Sequence, residues 1–232
     1  MYTASELFHL CAYDISYETV GDSVNYAFMT KKNTLYIFFQ GSSQISDWVR
    51  NFMFPAKPYK DMEIPYRVHR GFLAAWKEVE DIIIAKITEK NAKDNYKWSK
   101  IVVVGYSHGG ALAGFCHECV WFWRPDLRES GLIGYGFEAP RFYAGWKVKK
   151  ELKERWETFF VVRNNNDIVT HCPPAIFGFC HVGTILKIHG DTSLVEGKYC
   201  KCVKSHFPEC VYDGLVKDEA FVEDVENGKE DR

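Results

Sequence analysis

Apolar and polar positions follow two different rhythms along this chain, and the change between them outlines an architecture. Thr3 followed by Glu6 has the pattern of a capping box and predicts a short first helix through about Ala12. Val24–Met29 and Thr34–Gln40 are strand-like runs joined by Lys31-Lys32-Asn33, which predicts an antiparallel hairpin. Beyond them the period lengthens. Phe72, Trp76, Val79, Ile83 and Ile87 recur at helical spacing between Gly71 and Ile87. Ile101–Val104 is a run of β-branched residues, the mark of a strand buried on both faces. A second helix is expected from Gly109 to about Trp121, with Pro125 as its stop. Leu132–Phe137, Thr158–Val162 and Val182–Ile188 read as further strands, with a helix over Trp146–Trp156 between the first two. Helices alternating with buried strands predict an α/β fold with a mainly parallel central sheet and an antiparallel N-terminal hairpin.

Composition narrows the picture without changing it. The chain has 232 residues, 47% hydrophobic and 26% charged, enough apolar material for a sizeable core. No repeat or Pro/Gly/Ser-rich linker divides it, so a single domain over residues 1–232 is expected, with the acidic stretch 219–232 as a solvated end. A net charge of −2 argues against a nucleic-acid or anionic-membrane surface built on bulk charge. Aromatic residues reach 16%, which suits deep apolar pockets or interfaces. Met1–Glu6 has no basic region leading into an apolar stretch, and no apolar run approaches the ~18 residues of a transmembrane helix. Eight cysteines without a secretory signal read as reduced thiols, so a cytoplasmic protein is the expectation.

Chemistry is concentrated at Gly105-Tyr106-Ser107-His108-Gly109-Gly110, a G-x-S-x-G pattern directly after a buried strand and before a helix. At such a turn, side chains two residues either side of the serine would collide, which explains the glycines. A serine hydroxyl is a poor nucleophile near neutral pH and needs a histidine base, itself oriented by a carboxylate. Glu138 and Asp167 qualify as acids because each follows a strand later in the chain. His171, His181, His189 and His206 qualify as bases, and spacing does not choose among them.

An ordered set of motifs resembles the class 3 (fungal-type) lipases of the α/β-hydrolase superfamily, from about Leu35 to Gly214. Phe39-Gln40-Gly41-Ser42-Ser43 followed by Asp47-Trp48 is similar to the oxyanion strand and lid start. Val68-His69-Arg70-Gly71-Phe72 resembles V-H-x-G-F, Gly105–Leu112 the nucleophile elbow, and Ala139-Pro140-Arg141 the A/Q-P-R turn. Asn166-Asp167-Ile168-Val169 resembles the acid motif, and Pro173-Pro174 with His181-Val182-Gly183 the segment after it. Ser205-His206-Phe207 with Tyr212 resembles the C-terminal histidine motif. The resemblance implies an α/β-hydrolase fold with helices on both faces of the sheet. It implies a carboxylic-ester hydrolase acting on lipid or other acyl esters, with no cofactor. Carried over by position, Ser107 is the nucleophile, Asp167 the acid and His206 the base. The oxyanion donors fall on the backbone N–H of His108 and on Ser42.

Three positions depart from the family pattern. Tyr106 and His108 flank the nucleophile where histidine and leucine are usual, and Glu138 replaces a small or amide residue before Ala-Pro-Arg. Ile45, Trp48, Val49, Phe52 and Met53 share one helical face, and the resemblance makes that segment a lid able to contact lipid. A helix packed on the core fits the same spacing. Cys200, Cys202, His206 and Cys210 are metal-ligand types, but zinc there would consume the implied base, so no metal is expected. A Cys200–Cys210 or Cys202–Cys210 disulfide is a further alternative, His69 reads as structural, and Lys147–Lys153 as a solvated face. The rival functions are a catalytically inert lipase-like binding module and a metal-binding regulator.

Overall fold

The computed structural model describes residues 2–21, 24–41, 55–60, 63–219 and 222. Seven strands form the main sheet: β1 (Glu18–Val20), β2 (Val24–Lys31), β3 (Thr34–Phe39), β6 (Lys100–Tyr106), β7 (Leu132–Phe137), β9 (Phe159–Asn164) and β11 (Thr184–Ile188), in that spatial order. β1, β2 and β3 pair antiparallel, and from β3 to β11 every pairing is parallel. The expected hairpin and parallel sheet are therefore both present.

Alternation along the central strands divides the core in two. Leu35, Ile37, Phe39, Ile101 and Val103 face one side, where they meet Phe72, Trp76 and Val79 of α2 (Arg70–Ile87) and Ala111 and Phe115 of α3 (His108–Trp123). Tyr36, Phe38, Val102 and Val104 face the other. There they pack with Leu7 and Phe8 of α1 (Ala4–His9) and with Val211 and Leu215 of α5 (Pro208–Lys217), which follows the short helix α4 (Lys201–Lys204). Helices thus cover both faces. The Thr3–Glu6 capping box forms, but α1 ends at His9 and passes into a π-helical turn over Leu10–Asp14.

A second sheet is not visible in the sequence pattern. β4 (Ala56–Tyr59), β5 (Tyr66–His69), β8 (Tyr143–Ala144) and β10 (Phe179–Cys180) pair antiparallel in the order β10-β8-β5-β4. Strands of two to four residues are too short to show alternation. The helix expected over Trp146–Trp156 is a 3₁₀ segment confined to Lys150–Trp156. It buries Leu152 and Trp156, while Trp146 turns out to solvent at 78% exposure. The strand expected from Val182 starts at Thr184, because Gly183 adopts a left-handed φ of 71°.

At the C-terminal end, Glu219 accepts a hydrogen bond from Ser5 Oγ at 2.8 Å and Val222 is buried. The other tail positions, together with Ser42 and the candidate lid residues Ile45, Trp48, Val49, Phe52 and Met53, lie outside the described residues.

Candidate active site

Parallel strands present their carboxyl ends along one edge, and the site is built there. In register, Gly105 of β6 sits beside Phe39 and Gly136, Phe137 beside Tyr106 and Val162, and Asn164 beside Ile188. The chain leaves those strands at Ser107, Glu138 and the Asn165–Asp167 turn, so residues remote in sequence meet at one rim.

Ser107 is held by backbone geometry. Its φ of 57° and ψ of −123° lie in a region that side chains disfavour, at the junction of β6 and α3. Its N–H donates to the Phe137 carbonyl at 2.8 Å, and its carbonyl accepts from Gly110 N–H at 2.9 Å. A Cβ at Gly105 would stand 2.0 Å from the Gly109 carbonyl oxygen, and one at Gly109 would stand 2.2 Å from that of Phe39. The two glycines of the pattern are therefore steric requirements of the turn. Gly41, after β3, backs onto the same serine: a Cβ there would lie 3.1 Å from Ser107 Cβ.

Among the four candidate histidines, the structure brings one to Ser107. His206 Nε2 lies 2.8 Å from Ser107 Oγ, and His206 Nδ1 lies 2.6 Å from Asp167 Oδ2. His206 and Asp167 are fully buried and Ser107 is 4% exposed. Asp167 Oδ1 also accepts from Val169 N–H at 2.9 Å. His171 turns to Arg163 and the Asp167 carbonyl, His181 bonds to the Thr170 carbonyl, and His189 pairs with Asp218 at the surface. His108 opens α3, in the first turn, where the helix dipole favours negative charge. Burial, with a smaller contribution from His69, pulls the His108 ring down to about 4, so it is neutral at neutral pH. His69 has a structural place as expected. Its Nδ1 accepts Phe72 N–H at 3.4 Å and caps α2.

Glu138 joins the acid–base pair. It is fully buried, at a left-handed φ of 49°, and its carboxyl lies with those of Asp167 and the His206 ring in one group whose polar atoms are all within 4.8 Å. Among the described residues this is the grouping with metal-ligand proximity. Both His206 ring nitrogens are already engaged, so the group is better suited to holding protons than an ion. The cysteine cluster does not assemble in the same way. Cys200 and Cys202 contact each other as thiols, and Cys210 Sγ accepts from Asn164 Nδ2 at 3.1 Å, so neither candidate disulfide forms.

Two residues to which the sequence assigns no role hold His206 in place. Tyr106 Oη donates to the His206 carbonyl, and its ring stacks on the imidazole with centroids 5.3 Å apart. Asn164 Nδ2 donates to the Ser205 carbonyl at 2.8 Å, while Asn164 Oδ1 accepts from Gly190 N–H at 2.7 Å. Tyr106 is the variable residue of G-x-S-x-G, so its departure from histidine was the available signal. A buried asparagine in an Asn-Asn-Asn run gave none.

The comparisons with known proteins agree with this geometry. The profile of the family described as lipase (class 3) matches residues 36–177. A lipase of Rhizomucor miehei is 33% identical over 156 residues, covering 66% of this chain and 41% of its own. A solved triacylglycerol lipase, described as having a serine-protease triad at its catalytic centre, superposes with a TM-score of 0.67 at 27% identity. That match covers 87% of this chain and 82% of the other. A fungal lipase–inhibitor complex, offered as a model for interfacial activation, matches with a TM-score of 0.62 at 28% identity over 78% of this chain and 67% of its own. The chain spans about two-fifths of the length of the Rhizomucor miehei relative. A profile covering well over half of its residues, on an α/β-hydrolase scaffold, shows that the chain belongs to the class 3 lipase family.

Proposed function

We propose that this chain is a serine carboxylic-ester hydrolase that cleaves lipid or other acyl esters through an acyl-enzyme. The observation that carries the reading is the buried, continuous Ser107–His206–Asp167 hydrogen-bond chain at a strand–helix elbow. His206 Nε2 takes the Ser107 proton as Oγ attacks the ester carbonyl, and Asp167 stabilises the imidazolium and fixes its tautomer. The tetrahedral intermediate places a full charge on one oxygen. The His108 N–H at the positive end of α3 receives it, and the family pattern assigns a second donor to Ser42. His206 then protonates the departing alcohol, leaving the acyl group on Ser107. Water repeats the cycle in reverse and releases the acid.

The substrate class follows from relatives named as lipases and from the apolar spacing of Ile45, Trp48, Val49 and Phe52. As a lid, that face opens most readily against an apolar surface. Each large side chain moved from burial into water would otherwise cost about 1.5–3 kcal/mol. The interfacial-activation description of the solved fungal complex supports the same role.

Ser107→Ala tests the reading directly. The variant is expected to retain its fold, to lose hydrolysis of p-nitrophenyl acyl esters and to lose labelling by a fluorophosphonate probe. Full turnover in the variant would rule out Ser107 as nucleophile. A wild-type protein that neither turns over nor labels would be the inert binding module instead.

A further inference from the structure

Glu138 has a position unlike that of an ordinary buried acid. It follows the last residue of β7, at a left-handed φ of 49° where glycine is the unstrained choice. Its backbone N–H donates to the Val162 carbonyl at 2.8 Å, so the strain is held by the sheet edge. Its side chain is fully buried. Oε1 accepts the Asn164 N–H at 2.7 Å, while Oε2 has no hydrogen-bond partner among the described residues, and the Asp167 carboxyl is a close neighbour of the Glu138 side chain.

Two ionised carboxylates in contact inside a protein repel each other, and neither has a hydrogen to offer. One proton resolves both problems. It turns an orphaned oxygen into an O–H donor and a repulsion into a charge-assisted hydrogen bond. Asp167 is the partner placed to accept, because its carboxyl already faces His206 Nδ1 and takes the Val169 N–H. We propose that Glu138 is a positioning residue of this triad, a neutral carboxylic acid whose O–H donates to the Asp167 carboxylate. The proposal rests on the triad reading above and extends its chain by one member, to Glu138–Asp167–His206–Ser107.

The surrounding charges support the assignment. Burial, followed by Asp167, pushes the Glu138 carboxyl well above the usual range. Arg163 of β9 pulls the other way but is outweighed. His206 lies across Asp167, and Tyr106 of β6, with Tyr13 and Glu209 behind it, stays a neutral phenol. The donor spreads the Asp167 charge over one more hydrogen bond, so Asp167 pulls less strongly on the His206 proton. Losing that donor leaves the Asp167 charge more concentrated against His206, a change the acid limb of the rate profile reads.

Infrared spectroscopy and pH–rate profiles test this on the full chain. At neutral pH the wild type should show the C=O stretch of a buried protonated carboxyl, and Glu138→Gln should remove it. The comparison matters because Glu118, pushed up to about 7 by burial, is a second buried acid. Ser107→Ala should retain the band. Glutamine can still accept from Asn164 and donate to Asp167, so Glu138→Gln should keep the acid limb of kcat/KM in place. Glu138→Gly relieves the backbone strain but supplies no donor, and should move that limb upward by about half to one pH unit. No loss of buried-carboxyl intensity on Glu138→Gln at neutral pH, measured in a Glu118→Gln background, or equal limbs in the wild type and Glu138→Gly would each overturn the proposal. Turnover that survives Ser107→Ala would instead remove the triad reading beneath it, whatever the band shows.

Discussion

Tyr106 grips His206 twice, through a hydrogen bond from its hydroxyl to the histidine's carbonyl and through a stacked ring 5.3 Å away. The residue beside Ser107 thus orients His206, and two parts of the proposed triad share one scaffold. Tyr106→Phe keeps the stack and removes the bond, leaving a buried carbonyl unpaired at a cost of about 1–3 kcal/mol. The expected result is a lower kcat with KM little changed, read by steady-state hydrolysis of a soluble ester. A variant with unaltered kcat would show that the stack alone holds the ring.

Gly109→Ala is expected to be far more disruptive than its one methyl suggests. The added carbon would press on the Phe39 carbonyl, at the end of the strand that leads to Gly41 behind Ser107. Overpacking of this kind costs roughly 1–3 kcal/mol, which lowers Tm by about 2–4 °C per kcal/mol in a protein of this size. Activity should fall further than stability because the elbow and the β3 end move together. Thermal melts and initial rates on the same preparation check the comparison.

Acid should destabilise the fold before it reaches the ordinary carboxylate range. Burial pulls His69 and His108 down to about 4, and His117 and His181 to about 3. Each takes up a proton near pH 6.5 when unfolded but resists it when folded, so stability is full above that pH and declines as pH falls toward 4 and then 3. The gap is worth at most about 1.4 kcal/mol per pH unit for each ring. Glu118 and Glu138 act in the opposite sense, but they are two groups against four. Urea midpoints measured at pH 7.5, 6 and 5 should decrease in that order, and a flat series would contradict the balance.

The lid reading makes a separate prediction. Trp48→Ser combined with Phe52→Ser removes the two aromatic members of the apolar face. The ratio of emulsified-ester to dissolved-ester turnover should then fall several-fold. An unchanged ratio would favour the core-packing alternative for residues 45–53.

Legibility in the sequence followed the length and regularity of each element. The buried run at Ile101–Val104 and the repeat from Phe72 to Ile87 are long enough for period to reveal strand and helix, and both form where expected. The small sheet is built from pairs such as Phe179 with Ala144, distant in sequence and only two residues deep, which leave no period to read. Ser107 was legible because its glycine neighbours are sterically obligatory. The choice of His206 over His171, His181 and His189 comes from ordered motifs, since spacing alone leaves all four open. Asn164 stays hidden because it bonds chiefly to backbone groups, which carry no residue identity, and Tyr106 shows only as a departure from the family pattern.

Asn164 joins three stretches of chain through one amide: the end of β9, the turn after β11 at Gly190, and the segment carrying Ser205 and His206. The placement of His206 is thereby tied to the docking of the far edge strand as well as to its own segment. Catalytic competence therefore doubles as a proofreading signal for assembly. On the proposed function, a chain whose last quarter has come loose would keep its central β-framework yet fall silent.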